Sequence, residues 1–169
     1  MNVQIIDNFL SPEDFSKLQE TILSTEFPWY YARGKSNGDE NNIDRRIFQF
    51  VHTFYAKYSW RSNFEIIQPI IDQIKPAAII KIKANVTGIT EKKIKYAYHR
   101  DTELILNSKT ACFYLNTNNG CTVLSTGQEI KSVANRIAIF DSSLWHTGTS
   151  CTDESIRVVL NFNYFTFAI

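Results

Sequence analysis

The sequence predicts an α+β fold in which N-terminal helices brace one face of a β-sandwich or barrel. Three features carry this expectation: a strong helix start near residue 11, a change of texture after Pro76, and eight short β-rich runs from Ala77 onward. With 169 residues, 44% hydrophobic and 14% aromatic, the composition is that of one globular domain. No internal repeat, low-complexity tract or linker divides it. We therefore expect a single domain over 1–169, with 1–76 as a helix-containing support region and 77–169 as the β core. A chain of this length buries roughly 70% of its unfolded surface, so a bound metal would serve chemistry rather than folding.

The alternation of Val3, Ile5 and their neighbours reads as a short strand. Ser11-Pro12-Glu13-Asp14 then combines a capping serine, proline at the first helical position and first-turn acids, which predicts a helix over 12–25. Its core face would carry Phe15, Leu18, Ile22 and Leu23. Residues 33–46, RGKSNGDENNIDRR, bury too little to order themselves and read as a mobile loop, either a solvated connection or a lid. Aromatic and β-branched residues predict a strand over 47–55, and 63–74 reads as a second helix interrupted near Pro69. Beyond Pro76 come AAIIKIKANV, IKYAYH, TACFYLN, CTVLS, EIKSV, RIAIFD, WHTG and SIRVVLNFNYF, separated by turn residues. Lys81 and Lys83 alternate with Ile80 and Ile82, the pattern of a half-exposed strand that calls for no ligand.

Charge narrows the functional classes. Lys+Arg 18 against Asp+Glu 17 leaves a net charge of +1, without the positive field that polyanion binding uses, so nucleic acid is disfavoured as a partner. No apolar run approaches the roughly 20 residues of a membrane span, so no membrane association is expected. Three cysteines, Cys112, Cys121 and Cys151, cannot all pair, and the first residues lack a basic segment followed by an apolar one. A cytoplasmic location is the expectation.

His99 and Asp101 stand two positions apart at the end of an apolar run. On extended backbone positions i and i+2 share a face, whereas on a helix they diverge by about 200°. His146 follows the run RIAIFD, from which a neighbouring strand could bring it beside the pair. Two imidazoles and one carboxylate on one face of an octahedron leave three positions open, a donor set suited to Fe(II). Arg157 sharpens the reading, because it interrupts an almost wholly apolar or amide-bearing run. A buried guanidinium keeps its proton, and leaving it without a partner costs about 3–5 kcal/mol, so a protein or ligand carboxylate must meet it. Alternation places Arg157, Val159, Asn161 and Asn163 on one face of that run, opposite Ile156, Val158, Leu160, Phe162 and Tyr164.

These residues together resemble the Fe(II)/2-oxoglutarate-dependent oxygenases, particularly their prolyl 4-hydroxylase-like branch. Ile5-Ile6-Asp7-Asn8-Phe9-Leu10-Ser11 is similar to the family's strand-then-helix opening. His99-x-Asp101, Tyr114-Leu115-Asn116, Asn119-Gly120, Asn135-Arg136, Phe140-Asp141, His146 and Arg157 follow in family order, with Arg157 eleven residues after His146. The resemblance implies a double-stranded β-helix, the jelly-roll or cupin-like core. It also implies that His99, Asp101 and His146 hold Fe(II) and that Arg157 clamps the distal carboxylate of 2-oxoglutarate. The activity implied is hydroxylation of an unactivated C–H bond with O2, giving succinate and CO2 as coproducts, with ascorbate as an auxiliary reductant. A peptidyl proline or similar residue is the substrate implied, with a small molecule such as a free amino acid as the alternative.

The sequence departs from the family where many relatives carry Tyr-x-x-Gly, reading Asn85-Val86-Thr87-Gly88 instead. Asn85 or Tyr96 would replace the tyrosine's contact to 2-oxoglutarate; alternation sets Tyr96 and Tyr98 opposite His99, so either needs a bulge to reach the site. Two other classes stand beside this reading. A non-catalytic cupin-like binding module predicts that Arg157 turns away from the metal site, and a zinc hydrolase needs a general base, for which Glu103 is the nearby carboxylate. His52 is expected to be satisfied by backbone, and Arg100 to be a solvated charge. Trp145 would either pack the substrate pocket or shield the metal.

Overall fold

The computed structural model describes residues 3–32, 48–101 and 107–167, and its β-rich second half folds into two facing antiparallel sheets. The strands are β1 (Gln4–Ile6), β2 (Tyr30–Ala32), β3 (Gln49–Ala56), β4 (Ser59–Trp60), β5 (Ala78–Gly88), β6 (Ser108–Tyr114), β7 (Cys121–Leu124), β8 (Glu129–Lys131), β9 (Arg136–Asp141), β10 (His146–Gly148) and β11 (Ile156–Phe165). The large sheet runs β1-β9-β6-β11-β5-β3-β2, with β4 paired to β3; the small one runs β10-β7-β8. Its free side is extended by the 95–99 segment, which bridges β10 at Lys95↔Thr149 and His99↔His146. Successive core segments thus pass back and forth between the sheets, the topology of a double-stranded β-helix.

Two apolar cores flank the large sheet. On its outer face lie α1 (Pro12–Leu23) and α2 (Gln68–Ile74), which cover Ile82, Ala84, Phe113, Leu160 and Phe162 with Leu18, Ile22 and Ile70. On its inner face Cys112, Tyr114, Ala138, Phe140 and Val159 meet Leu124 and Ile130 of the small sheet. The alternation of β11 explains the division: even-numbered residues enter the helix-side core, while Arg157, Val159 and Asn161 face the space between the sheets.

The N-terminal half departs from expectation in detail. Ser11 caps α1 by accepting from Asp14 N at 3.1 Å, but the helix stops at Leu23, because Ser24 turns extended and its hydroxyl donates to Thr21 O at 2.9 Å. Leu23 is 43% exposed rather than core-facing. At about 100° per residue it lies about 80–140° round the helix from Phe15, Leu18 and Ile22, which share the buried stripe. The second helix is broken as expected: a 3₁₀ turn over Phe64–Ile67 gives way at Gln68-Pro69 to α2. The strand expected from residue 47 begins at Gln49 and closes a hairpin with β4 through Lys57 and Tyr58, both at positive φ. The 33–46 loop lies outside the described residues, and among the described residues no helix is long and apolar enough to cross a membrane.

Candidate metal and 2-oxoglutarate site

His99 and His146 face each other as a hydrogen-bonded antiparallel pair, each backbone N–H donating to the other's carbonyl at 2.9 Å. Directly opposed residues project to the same side, and the two rings stand 4.6 Å apart at their centroids. Asp101, two residues beyond His99, turns its carboxylate to both: Oδ1 lies 3.7 Å from His99 Nε2 and Oδ2 3.6 Å from His146 Nε2. One ligand atom from each residue falls within 4.8 Å of the other two.

The chemistry of these donors fits a divalent cation. His146 Nδ1 is 3.0 Å from Leu144 O, and a carbonyl only accepts, so the proton sits on Nδ1 and Nε2 presents its lone pair toward Asp101. His99 Nδ1 faces Ala97 O at 3.4 Å in the same sense. Asp101 is oriented from behind by Asn163, whose Nδ2 donates to Oδ2 at 3.0 Å, and by Thr110, whose hydroxyl donates at 3.1 Å. Burial works to raise the Asp101 carboxyl, but the neighbouring His146, the Asn163 bond, His99 and Lys83 together outweigh it, and it sits below its ordinary value. Asn163 and Thr110 escaped sequence reasoning as carboxylate holders; the one signal was Asn163's place on the polar face of β11.

Arg157 lines the same cavity, of about 330 Å³, as His99, Asp101 and His146. It is only 5% exposed. Its Nε donates to Ser132 Oγ at 2.9 Å and its Nη2 reaches Thr122 Oγ1 at 3.4 Å, while its guanidinium stands 5.8 Å from the Tyr114 ring centre. Among the described residues no carboxylate pairs with it. Gly120 makes room for it, since a Cβ there would come within 2.7 Å of Arg157 Cδ. The binding-module reading required this arginine to point elsewhere.

Asn85 and Tyr96 also line the cavity. Asn85 Oδ1 is buried with no hydrogen-bond partner among the described residues, an acceptor left open on the cavity wall. Tyr96 reaches the cavity because Lys95 and His99 are four positions apart while His146 and Thr149 are three, so one residue is extra and the strand bulges. Tyr98 stays outside, with Lys95 over its ring. Two expectations are corrected. Lys83 lines the cavity rather than a solvated strand face, because the inner face of β5 meets the small sheet instead of water. Arg100, expected as a solvated charge, instead stacks over the Trp145 ring at 4.6 Å, and Trp145 is not among the residues that line the cavity. His52 is held between Pro28 O at 2.9 Å and Ser62 O at 3.0 Å, as expected. Glu103 lies outside the described residues.

No family model matches the sequence, and no curated protein does. Solved structures do match. SnoN, a non-heme α-ketoglutarate-dependent epimerase from nogalamycin biosynthesis, aligns over 96% of this chain and 77% of its own, with a TM-score of 0.67 and 11% identity. A prolyl hydroxylase from Trichoplax adhaerens, solved with a peptide of hypoxia inducible factor, covers 96% of this chain and 83% of its own, with a TM-score of 0.64 and 13% identity. The viral collagen prolyl hydroxylase of Paramecium Bursaria Chlorella virus-1 covers 98% and 90%, with a TM-score of 0.57 and 12% identity. At such identities the likeness is one of fold: this chain has the double-stranded β-helix of 2-oxoglutarate-using non-heme iron enzymes.

Proposed function

We propose that the protein is an Fe(II)- and 2-oxoglutarate-dependent dioxygenase that hydroxylates an unactivated C–H bond, releasing succinate and CO2. The observation that carries this is Arg157: a buried guanidinium with no acid partner among the described residues, in one cavity with two imidazoles and a carboxylate. His99, Asp101 and His146 would hold the iron, and Arg157 would take the distal carboxylate of 2-oxoglutarate through its planar fork. The iron and its cosubstrate supply the oxidising chemistry, with O2 as oxidant and ascorbate as auxiliary reductant.

The chain's own groups prepare the site. The backbone pair at 99 and 146 fixes the two rings, Asn163 and Thr110 fix the carboxylate, and Ser132 with Thr122 fixes the arginine. Asn85 and Tyr96 would complete the cosubstrate's contacts, and the buried cavity walls would keep water from the reacting centre. His99, with 47% of its side chain exposed, marks the open side from which substrate would approach. The prolyl hydroxylases sharing this fold support a peptidyl proline or similar residue as substrate. SnoN, from nogalamycin biosynthesis, supports a small molecule as the second reading.

The test is spectroscopic. Anaerobic protein loaded with Fe(II) is expected to develop a visible metal-to-ligand charge-transfer band when 2-oxoglutarate is added, and His146→Ala to abolish it. Arg157→Ala should weaken 2-oxoglutarate at least about tenfold, the scale of one charged hydrogen bond, while Fe(II) affinity holds. A wild-type protein without the band, or an Arg157→Ala variant with equal loss of both ligands, overturns the assignment.

A further inference from the structure

Lys83 places an ammonium inside the cavity that the proposed reaction leaves unused. It faces the same space as His99, Asp101, Asn85 and Asn161. Among the described residues it forms no ion pair and no hydrogen bond. Burial and the charge of Lys81 both push its ammonium below its ordinary value, with Asp101 acting in the other direction. A desolvated cation so placed is stabilised by an anion that enters the cavity.

Register shows that this anion is not the carboxylate assigned to Arg157. On the central strand pair, Arg157 stands opposite Thr87 and Lys83 opposite Asn161. Four residues of β5 separate the two levels, roughly 13 Å at strand rise. Lys83 instead stands near the metal end: Asn161 is one same-face step along β11 from Asn163, which holds Asp101. It also stands to one side, on β5, with β3 beyond it and Thr53 as its partner there. The cavity is therefore built with two cations at different depths, one at the far end and one beside the reacting centre.

We propose that Lys83 binds a carboxylate of the substrate whose C–H bond is oxidised, which makes that substrate an acid. The carboxylate is either the α-carboxylate of a free amino acid or the side chain of an acidic residue beside the target in a peptide. This rests on the dioxygenase reading above. The cavity volume lies at the low end for ligand sites, which suits a small acid or a single side chain reaching in.

The experiment uses the Fe(II)- and 2-oxoglutarate-loaded protein and reads both perturbation of the charge-transfer band and succinate release. The probes are the common free L-amino acids with their amides, and end-blocked proline peptides with Asp or Asn beside the proline. At least one carboxylate probe should perturb the band and raise succinate release where its amide does not. Free acids acting alone would name the α-carboxylate; Asp-containing peptides acting alone would name the side chain. Lys83→Met should raise KM for the active acid about ten- to a hundredfold, the worth of a charged hydrogen bond, erase the acid-over-amide preference and leave 2-oxoglutarate affinity unchanged. Lys83→Arg should restore part of the preference. Failure of every acid in a protein that forms the band, equal response to acid and amide, or weakened 2-oxoglutarate in Lys83→Met overturns the proposal. Absence of the band in the wild type overturns the reading beneath it.

Discussion

Arg157 owes its position to a neighbour with no side chain. A methyl group at Gly120 would lie 2.7 Å from Arg157 Cδ, 3.0 Å from its Nε and 2.8 Å from Asn118 Oδ1. Asn118 is itself fixed, accepting from Gly120 N at 3.0 Å, so the arginine is the group that must give way. Gly120→Ala should therefore raise the Kd for 2-oxoglutarate about tenfold, the order of one weakened charged hydrogen bond, with little change in Fe(II) affinity. Titration of the charge-transfer band measures both, and an unchanged Kd for 2-oxoglutarate would refute the crowding argument. The arginine was legible in the sequence because a guanidinium inside an apolar run demands a partner. Lys83 was not. Lysine alternating with isoleucine arises equally on a strand facing water and on one facing a cavity, so periodicity gives the face and says nothing of what that face meets.

Single elements show the same limit at their joints. The hairpin between β3 and β4 turns through Lys57 at φ 52° and Tyr58 at φ 60°, the left-handed pair of a type I′ turn. Neither is the asparagine or glycine that announces such a turn, so the sequence carries no signal of it. Tyr58 is 95% exposed and packs on little. Tyr58→Gly should then stabilise the protein by about 1 kcal/mol, the scale of relieving one left-handed L-residue. A urea denaturation midpoint that fails to rise would count against it. The bulge between Lys95 and His99 was legible in another way, as a condition: Tyr96 could line the site only if the alternation slipped by one residue, and it does. Which strands pair was beyond reach, because sheet order depends on long-range contacts that local pattern does not encode.

Across the molecule, the amino-terminal strand is tied to the β core by one bidentate ion pair. Arg136 donates from Nε to Asp7 Oδ1 at 2.6 Å and from Nη2 to Asp7 Oδ2 at 2.9 Å, beside the β1–β9 pairing. The Arg136 hydrogen bond holds the Asp7 carboxyl below its ordinary value; slight burial opposes it and the guanidinium charge adds to it. The folded carboxyl thus titrates below the unfolded one, near 3.9. Its stabilisation is complete above roughly pH 5 and is lost as the pH falls through the lowered folded value. With Asp7 about half exposed, solvent screens the pair to less than about 1 kcal/mol. Asp7→Asn should lower Tm slightly at neutral pH and flatten its decline below pH 4; Tm curves that stay parallel down to pH 2 would refute the assignment. The reciprocal amide bonds at His99 and His146 have a consequence at this scale too. An ion gripped by both imidazoles would act as a rivet through the rim of the small sheet, so that seating iron and sealing that rim become a single equilibrium. Fraying on either side would loosen both nitrogen grips together.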